Sequence, residues 1–145
     1  MSGPPAYGGV EVGTRLPTRE VRLRRADLVR YAGASGDFNP IHWNERFARS
    51  VGLPDVIAHG MLTMAVGARL LVEWTGDPGA VLEYGVRFTR PVVVGDGLGA
   101  DDGAVLVVGG TVTEKLPDGS VRVELDVRCD GEPVLARARA VVRLG

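Results

Sequence analysis

The strongest constraint on this chain is a change of period. Between Met61 and Trp74 the apolar positions Met61, Leu62, Met64, Ala65, Val66, Leu70, Leu71, Val72 and Trp74 wrap most of the way round a helix. A helix apolar on nearly all sides has to be enclosed. Arg69 and Glu73 stand four apart, placed to pair on one exposed strip. Gly67 lets another backbone approach closely, at some cost in helix propensity. From Val81 onward the period becomes two: Leu82, Tyr84, Val86 and Phe88 alternate with Glu83, Gly85, Arg87 and Thr89, the signature of a half-buried strand.

The alternation returns in Val121, Val123, Leu125 and Val127, and again in Ala136, Ala138, Ala140 and Val142. Pro117-Asp118-Gly119 and Asp130-Gly131 fall between the apolar runs, where the chain needs residues that tolerate positive φ to reverse as hairpins. A long buried helix followed by antiparallel strands is an α+β layout, in which a curved sheet and the helix bury their apolar faces together. At 145 residues the chain suits one domain. Residues 1–9 are Gly/Pro-rich and read as a tail, or a strap ordered only by docking, so the domain is expected over 10–145.

The charge balance narrows the partners. Lys+Arg 17 against Asp+Glu 18 leaves a net charge of -1, too little field to hold a polyanion, so nucleic acid is not expected. No segment reaches the roughly 18 consecutive apolar residues of a membrane span, and no signal-like start is present. A single cysteine, Cys129, excludes an internal disulfide and fits a reducing cytoplasm.

The chemistry concentrates in one loop. Leu28, Tyr31, Ala32 and Ser35 share one face of a predicted helix over Asp27–Ser35 that ends at Gly36. The following Ser-Gly-Asp-Phe-Asn-Pro-Ile-His breaks every regular pattern, because Pro40 lacks an N–H and pushes Asn39 out of the helical region. A helix would set Asp37 and His42 about 140° apart at about 100° per residue; the Asn-Pro break lets the chain fold back and bring them together. A carboxylate and an imidazole near one water can polarise it, one accepting a proton while the other donates or orients. Taken alone, the same residues also describe an ordinary turn.

The whole string from Tyr31 to His42, followed by Ala48, resembles the signature of the MaoC-like, (R)-specific enoyl thioester hydratases. Ile57-Ala-His-Gly-Met-Leu-Thr63 resembles the family segment that opens its central helix, and Tyr84-Gly-Val-Arg-Phe-Thr-Arg-Pro91 the strand that follows. The resemblance covers residues 11 to 145. Within the family, NPIHW, IAHGMLTM, GDPGAV and VRFT are most similar to the B subunits of the actinobacterial type II fatty-acid-synthase dehydratases.

The resemblance implies a single hot-dog fold, an antiparallel sheet wrapped round the central helix. It implies reversible hydration and dehydration of (R)-3-hydroxyacyl and trans-2-enoyl thioesters in fatty-acid metabolism, with Asp37 and His42 as the catalytic pair. The backbone N–H of Gly60 is then the donor to the thioester carbonyl, a role that fits the unpaired amides of a helix's first turn. Asn39 holds the loop's geometry. No cofactor is implied, the CoA or carrier-protein arm being part of the substrate, and a homodimer or a heterodimer with a second hot-dog subunit is expected. The acyl tunnel is expected to be apolar, with Arg15, Arg19, Arg22, Arg24 and Arg25 as candidates for a basic rim.

Other residues are read as structural. His59, just before the buried helix, is taken as a hydrogen-bonded packing residue outside the catalytic set, and Thr63 and Arg87 as packing or solvent-facing. His42, His59 and Asp37 match no zinc spacing, so no metal is expected. Two alternatives stay open: an acyl thioesterase, which would not need the Asp-Asn-Pro-His loop, and a partner or acyl-binding subunit with little activity alone, which would be expected to lack Asp37 or His42.

Overall fold

The alternating strands assemble as their pattern demands. The computed structural model describes residues 4–97, 99 and 102–145. Strand β1 (Arg15–Leu23) leads into α1 (Arg25–Ser35), a short α2 (Glu45–Ser50) and the long α3 (Gly60–Thr75). Strands β2 (Val81–Phe88), β3 (Gly95–Asp96), β4 (Asp102–Lys115), β5 (Ser120–Cys129), β6 (Glu132–Pro133) and β7 (Leu135–Arg143) follow. The sheet runs β1-β4-β5-β7-β2, with β3 on β4 and β6 on β5, and every pairing is antiparallel.

On β5 the inward set Val121, Val123, Leu125 and Val127 is buried while Arg122, Glu124, Asp126 and Arg128 face out. Against it lies α3, whose buried face is Thr63, Val66, Gly67, Leu70, Leu71 and Thr75. At Gly67 a Cβ would stand 2.5 Å from the Tyr84 hydroxyl and 3.5 Å from Leu125. What the glycine admits is therefore a phenol and the sheet's side chains, not the second backbone expected from the sequence. The Tyr84 hydroxyl donates to the carbonyl of Met64 at 2.8 Å, and burial pushes its pKa up to about 12.

Two expectations of burial fail at one place. The helix is not enclosed on all sides, since Met61 is 58% exposed and Ala65 is also exposed. Beside it, Leu82 and Phe88 of β2 are 48% and 50% exposed, although the alternation sets them facing inward. The reason is position: β2 ends the sheet and its register with β7 shifts twice. One chain thus leaves an apolar flank along α3 and β2.

Residues 7–9 are a docked strap. Tyr7 donates through its hydroxyl to the Leu116 carbonyl (2.7 Å) and through its amide to that of Gly145 (2.9 Å), and Lys115 lies 4.3 Å over its ring. The hairpin residues behave as expected, Gly119, Asp130 and Gly131 all having positive φ. Among the described residues, no helix is long and apolar enough to cross a membrane.

Candidate active site

Helix α1 is stopped by Gly36, whose φ of 77° is left-handed and whose amide donates to the Ala32 carbonyl. That turn, open to a residue without Cβ, throws Asp37 off the helix. The hydroxyl of Ser35 donates to the Tyr31 carbonyl and accepts from the Asp37 amide. The loop then locks itself: Asp37 Oδ1 accepts from the Asn39 amide at 3.1 Å, and Asn39 Oδ1 accepts from the Ile41 amide at 3.2 Å. Asn39 thereby caps a 3₁₀ turn, Pro40–His42, whose fixed proline φ suits its first position.

The turn drives His42 inward, to 6% exposure. Its Nδ1 lies 2.7 Å from the Ile57 carbonyl. A carbonyl only accepts, so the proton sits on Nδ1, and in the neutral ring Nε2 carries a bare lone pair. That Nε2 faces Asp37 Oδ2 at 3.9 Å, too far for a direct hydrogen bond and close to the span of two groups that share one water. Asp37 itself is half-exposed, at 52%. The carboxylate thus has one oxygen held by backbone and the other free toward the imidazole.

Helix α3 begins beside this pair. Its N-cap residue, His59, makes no side-chain cap; the Leu62 and Thr63 amides donate to the His59 carbonyl, while those of Gly60 and Met61 precede any intrahelical acceptor. They concentrate positive potential at the helix start. Thr63 turns its hydroxyl back to the His59 and Gly60 carbonyls, a packing role in line with its reading from sequence. A Cβ at Gly60 would lie 3.1 Å from the Phe88 ring, so the aromatic flanks the amide on the glycine's bare side.

His59 connects the two halves. It is 1% exposed; its Nε2 is 3.1 Å from the Asp37 carbonyl; its ring stacks on His42 with centroids 3.8 Å apart and planes 21° apart. The ring of Tyr31 meets it edge-on at 4.7 Å. Burial holds the His59 pKa below its usual value, ahead of the opposing effect of the Asp37 carbonyl and the added effect of His42. The structure brings together Asp37, His42 and His59, with ligand-type atoms within 4.8 Å of one another. Of the His59 nitrogens, Nε2 is taken up by the Asp37 carbonyl.

Four of the arginines proposed for a rim make local contacts. Arg25 is only 22% exposed on its side chain and pairs with Asp55 at 2.7 Å and Glu45 at 3.5 Å, with its Nε donating to the Val94 carbonyl. It ties α1 to the segment leading into α3. Arg24 pairs with Asp102, Arg19 with Glu73, and Arg22 donates to the Asp102 carbonyl. Arg19, Arg22 and Arg24, with Arg69, border an open cleft of about 380 Å³ between β1 and α3 in which Glu20 and Glu73 also stand, so basic groups outnumber acidic ones there.

A family model described as "MaoC like domain" matches residues 9–128. The 3-hydroxyacyl-thioester dehydratase X of Mycobacterium tuberculosis is 44% identical over 79 residues, covering 54% of this chain and 27% of that protein. The 3-hydroxybutyryl-CoA dehydratase of Methylorubrum extorquens is 31% identical over 141 residues, 95% of this chain and 83% of its own. Among solved structures, one described as "MaoC-like dehydratase" superposes with a TM-score of 0.90 at 44% identity, over 99% of this chain and 43% of its own. The R-hydratase PhaJ1 from Pseudomonas aeruginosa superposes at 0.82 with 31% identity, over 96% and 84%. The chain thus spans about a quarter, 27%, of the first of these relatives.

Proposed function

This chain belongs to the MaoC-like family, and on that premise we propose that it hydrates trans-2-enoyl thioesters to (R)-3-hydroxyacyl thioesters and runs the reverse dehydration. The observation that carries the reading is the bare Nε2 of buried His42 facing Asp37 Oδ2 across 3.9 Å, next to the uncapped start of α3. A water held between the two loses a proton to the pair as its oxygen bonds to C3. The π electron pair of the C2=C3 double bond moves toward the thioester oxygen, where the Gly60 N–H stabilises the developing charge. A proton returned at C2 restores the thioester, so one water is added and the pair ends as it began. In reverse, the pair removes the proton at C2 and assists departure of the 3-hydroxyl. The acyl carrier, CoA or the pantetheine arm of a carrier protein, enters as part of the substrate, and the chemistry proposed asks for no metal.

We further propose that a second hot-dog unit covers the flank of Met61, Leu82 and Phe88, all about half exposed in the single chain. That cover would also complete an acyl tunnel beside Asp37, which one chain leaves half-open. Purified chain mixed with crotonyl-CoA and longer trans-2-enoyl-CoAs should deplete the enoyl absorbance and yield R product by chiral analysis. Hydrolysis to free acid and thiol in place of hydration would overturn the reading in favour of a thioesterase.

A further inference from the structure

Among the buried polar groups with no part in the chemistry above, His59 has contacts that are unusual for a packing residue. We infer that His59 is a positioning residue that ties the carboxylate loop to the imidazole ring. The inference rests on the hydratase reading for its kinetic consequence but on geometry for its substance.

His59 touches each member of the pair by a different means. Its Nε2–H donates to the main-chain carbonyl of Asp37 at 3.1 Å, which fixes the backbone from which the carboxylate projects. Its ring covers the face of His42 at 3.8 Å, which fixes the plane in which Nε2 points. His42 is held at its other end by the Ile57 carbonyl, so the imidazole can neither rotate about its edge nor tilt. The peptide after His59 begins α3, and the amides at that helix start are thereby placed relative to the pair by a single residue.

The arrangement is not what simple space-filling would select. Nδ1 of His59 is buried and has no partner among the described residues, and a buried unmatched acceptor is costly. A phenylalanine or leucine would pack without that cost. The imidazole is kept where a donor at Nε2 and a flat ring are needed together. The titratable groups facing it are Asp37 and His42 from the loop and Tyr31 from α1. A neutral ring is also what the reaction requires, since His42 takes up a proton during turnover and a second cation stacked on it would oppose that step.

The two contacts can be separated by substitution. His59→Gln keeps a donor near the Nε2 position and removes the ring; His59→Phe keeps the ring and removes the donor. Steady-state kinetics on enoyl-CoA, with thermal melting of each variant, should show kcat lowered on the order of ten- to a hundredfold, the size of a displaced catalytic group. KM should change little, and His59→Gln should recover part of the loss seen in His59→Phe. The sequence contains only two histidines, so ring ¹⁵N spectra resolve both. Wild type should show His59 as the neutral Nε2–H tautomer and His42 with its proton on Nδ1, and His59→Gln, which removes the stacked ring, should mix the His42 tautomers. Folded variants with wild-type kcat, or a His42 ring signal unchanged by either substitution, would overturn the proposal. The spectra decide the question even if the wild-type chain lacks hydratase activity, which would sink the functional reading and not the tether.

Discussion

His42 and Asp37 are five residues apart in the chain and 3.9 Å apart between Nε2 and Oδ2, yet their surroundings are opposite. His42 is 7% exposed on its side chain and Asp37 52%. One is a buried group held by the Ile57 carbonyl, the other a surface carboxylate held by the Asn39 amide. The same pair of substitutions therefore has different consequences for folding and for turnover.

Asp37→Asn should lower kcat by about 10²–10⁴-fold, as lost acid–base groups do, while leaving the melting temperature near that of wild type. His42→Ala should lower kcat as much and also destabilise, by about 1–3 kcal/mol, because the Ile57 carbonyl loses its donor inside the protein. Kinetics and urea denaturation on the two variants check both halves. Wild-type turnover in both would remove the pair from the mechanism.

Gly60→Ala tests the helix start. The new Cβ would stand 3.1 Å from Phe88, a half-exposed ring with room to swing outward, so the fold should survive with a loss of at most about 1–3 kcal/mol. The methyl should nevertheless obstruct the carbonyl's approach and cut kcat/KM by about tenfold or more, equivalent to at least about 1.4 kcal/mol of transition-state stabilisation. Phe88→Ala in the same background should restore stability but not activity. Recovery of activity in the double variant would mean that the ring, not the amide, had been disturbed.

How far these features were legible from sequence follows from which faces are buried. Strands β5 and β7 declare themselves because each buries one face and exposes the other. Strand β1 hides its period behind Pro17 and a register shift between Leu16 and Arg19. In β4 the alternation of Ala104, Leu106 and Val108 is masked by Val105 and Val107, of which Val107 is 39% exposed. Asp37, Asn39 and His42 are readable because one short loop carries them all. His59 reads as a packing residue in the sequence because its partner, the Asp37 carbonyl, lies 22 residues away and a main-chain acceptor leaves no trace in a sequence. The exposure of Leu82 and Phe88 was equally invisible, since the period of a strand says which residues share a face and not whether that strand ends the sheet.

Gly67→Ala should be destabilising although alanine is the better helix former by about 1 kcal/mol. Its Cβ would fall 2.5 Å from the Tyr84 hydroxyl, which is itself bonded to the Met64 carbonyl and cannot yield without losing that bond. A net loss of about 1–3 kcal/mol is expected, the usual cost of overpacking a core. Removing the hydroxyl by Tyr84→Phe should offset part of it, so the double variant should be more stable than the sum of the two single changes. Additivity in urea denaturation would show that α3 and β2 are not in the contact described.

Stability should also fall on mild acidification, and His59 sets the direction. Its folded pKa lies below the ordinary 6.5 because burial disfavours the imidazolium. Above about pH 6.5 both folded and unfolded chains carry the neutral ring, and the stabilisation is fully present. As the pH drops through that value the unfolded chain binds a proton that the folded chain refuses, so stability declines until the folded pKa is reached and then levels. Denaturation free energies measured from pH 8 to pH 5 should show this decline in wild type and a shallower one in His59→Gln, whose amide does not titrate. If the two profiles run parallel, His59 is not the group responsible, and its neutrality in the folded state loses its support.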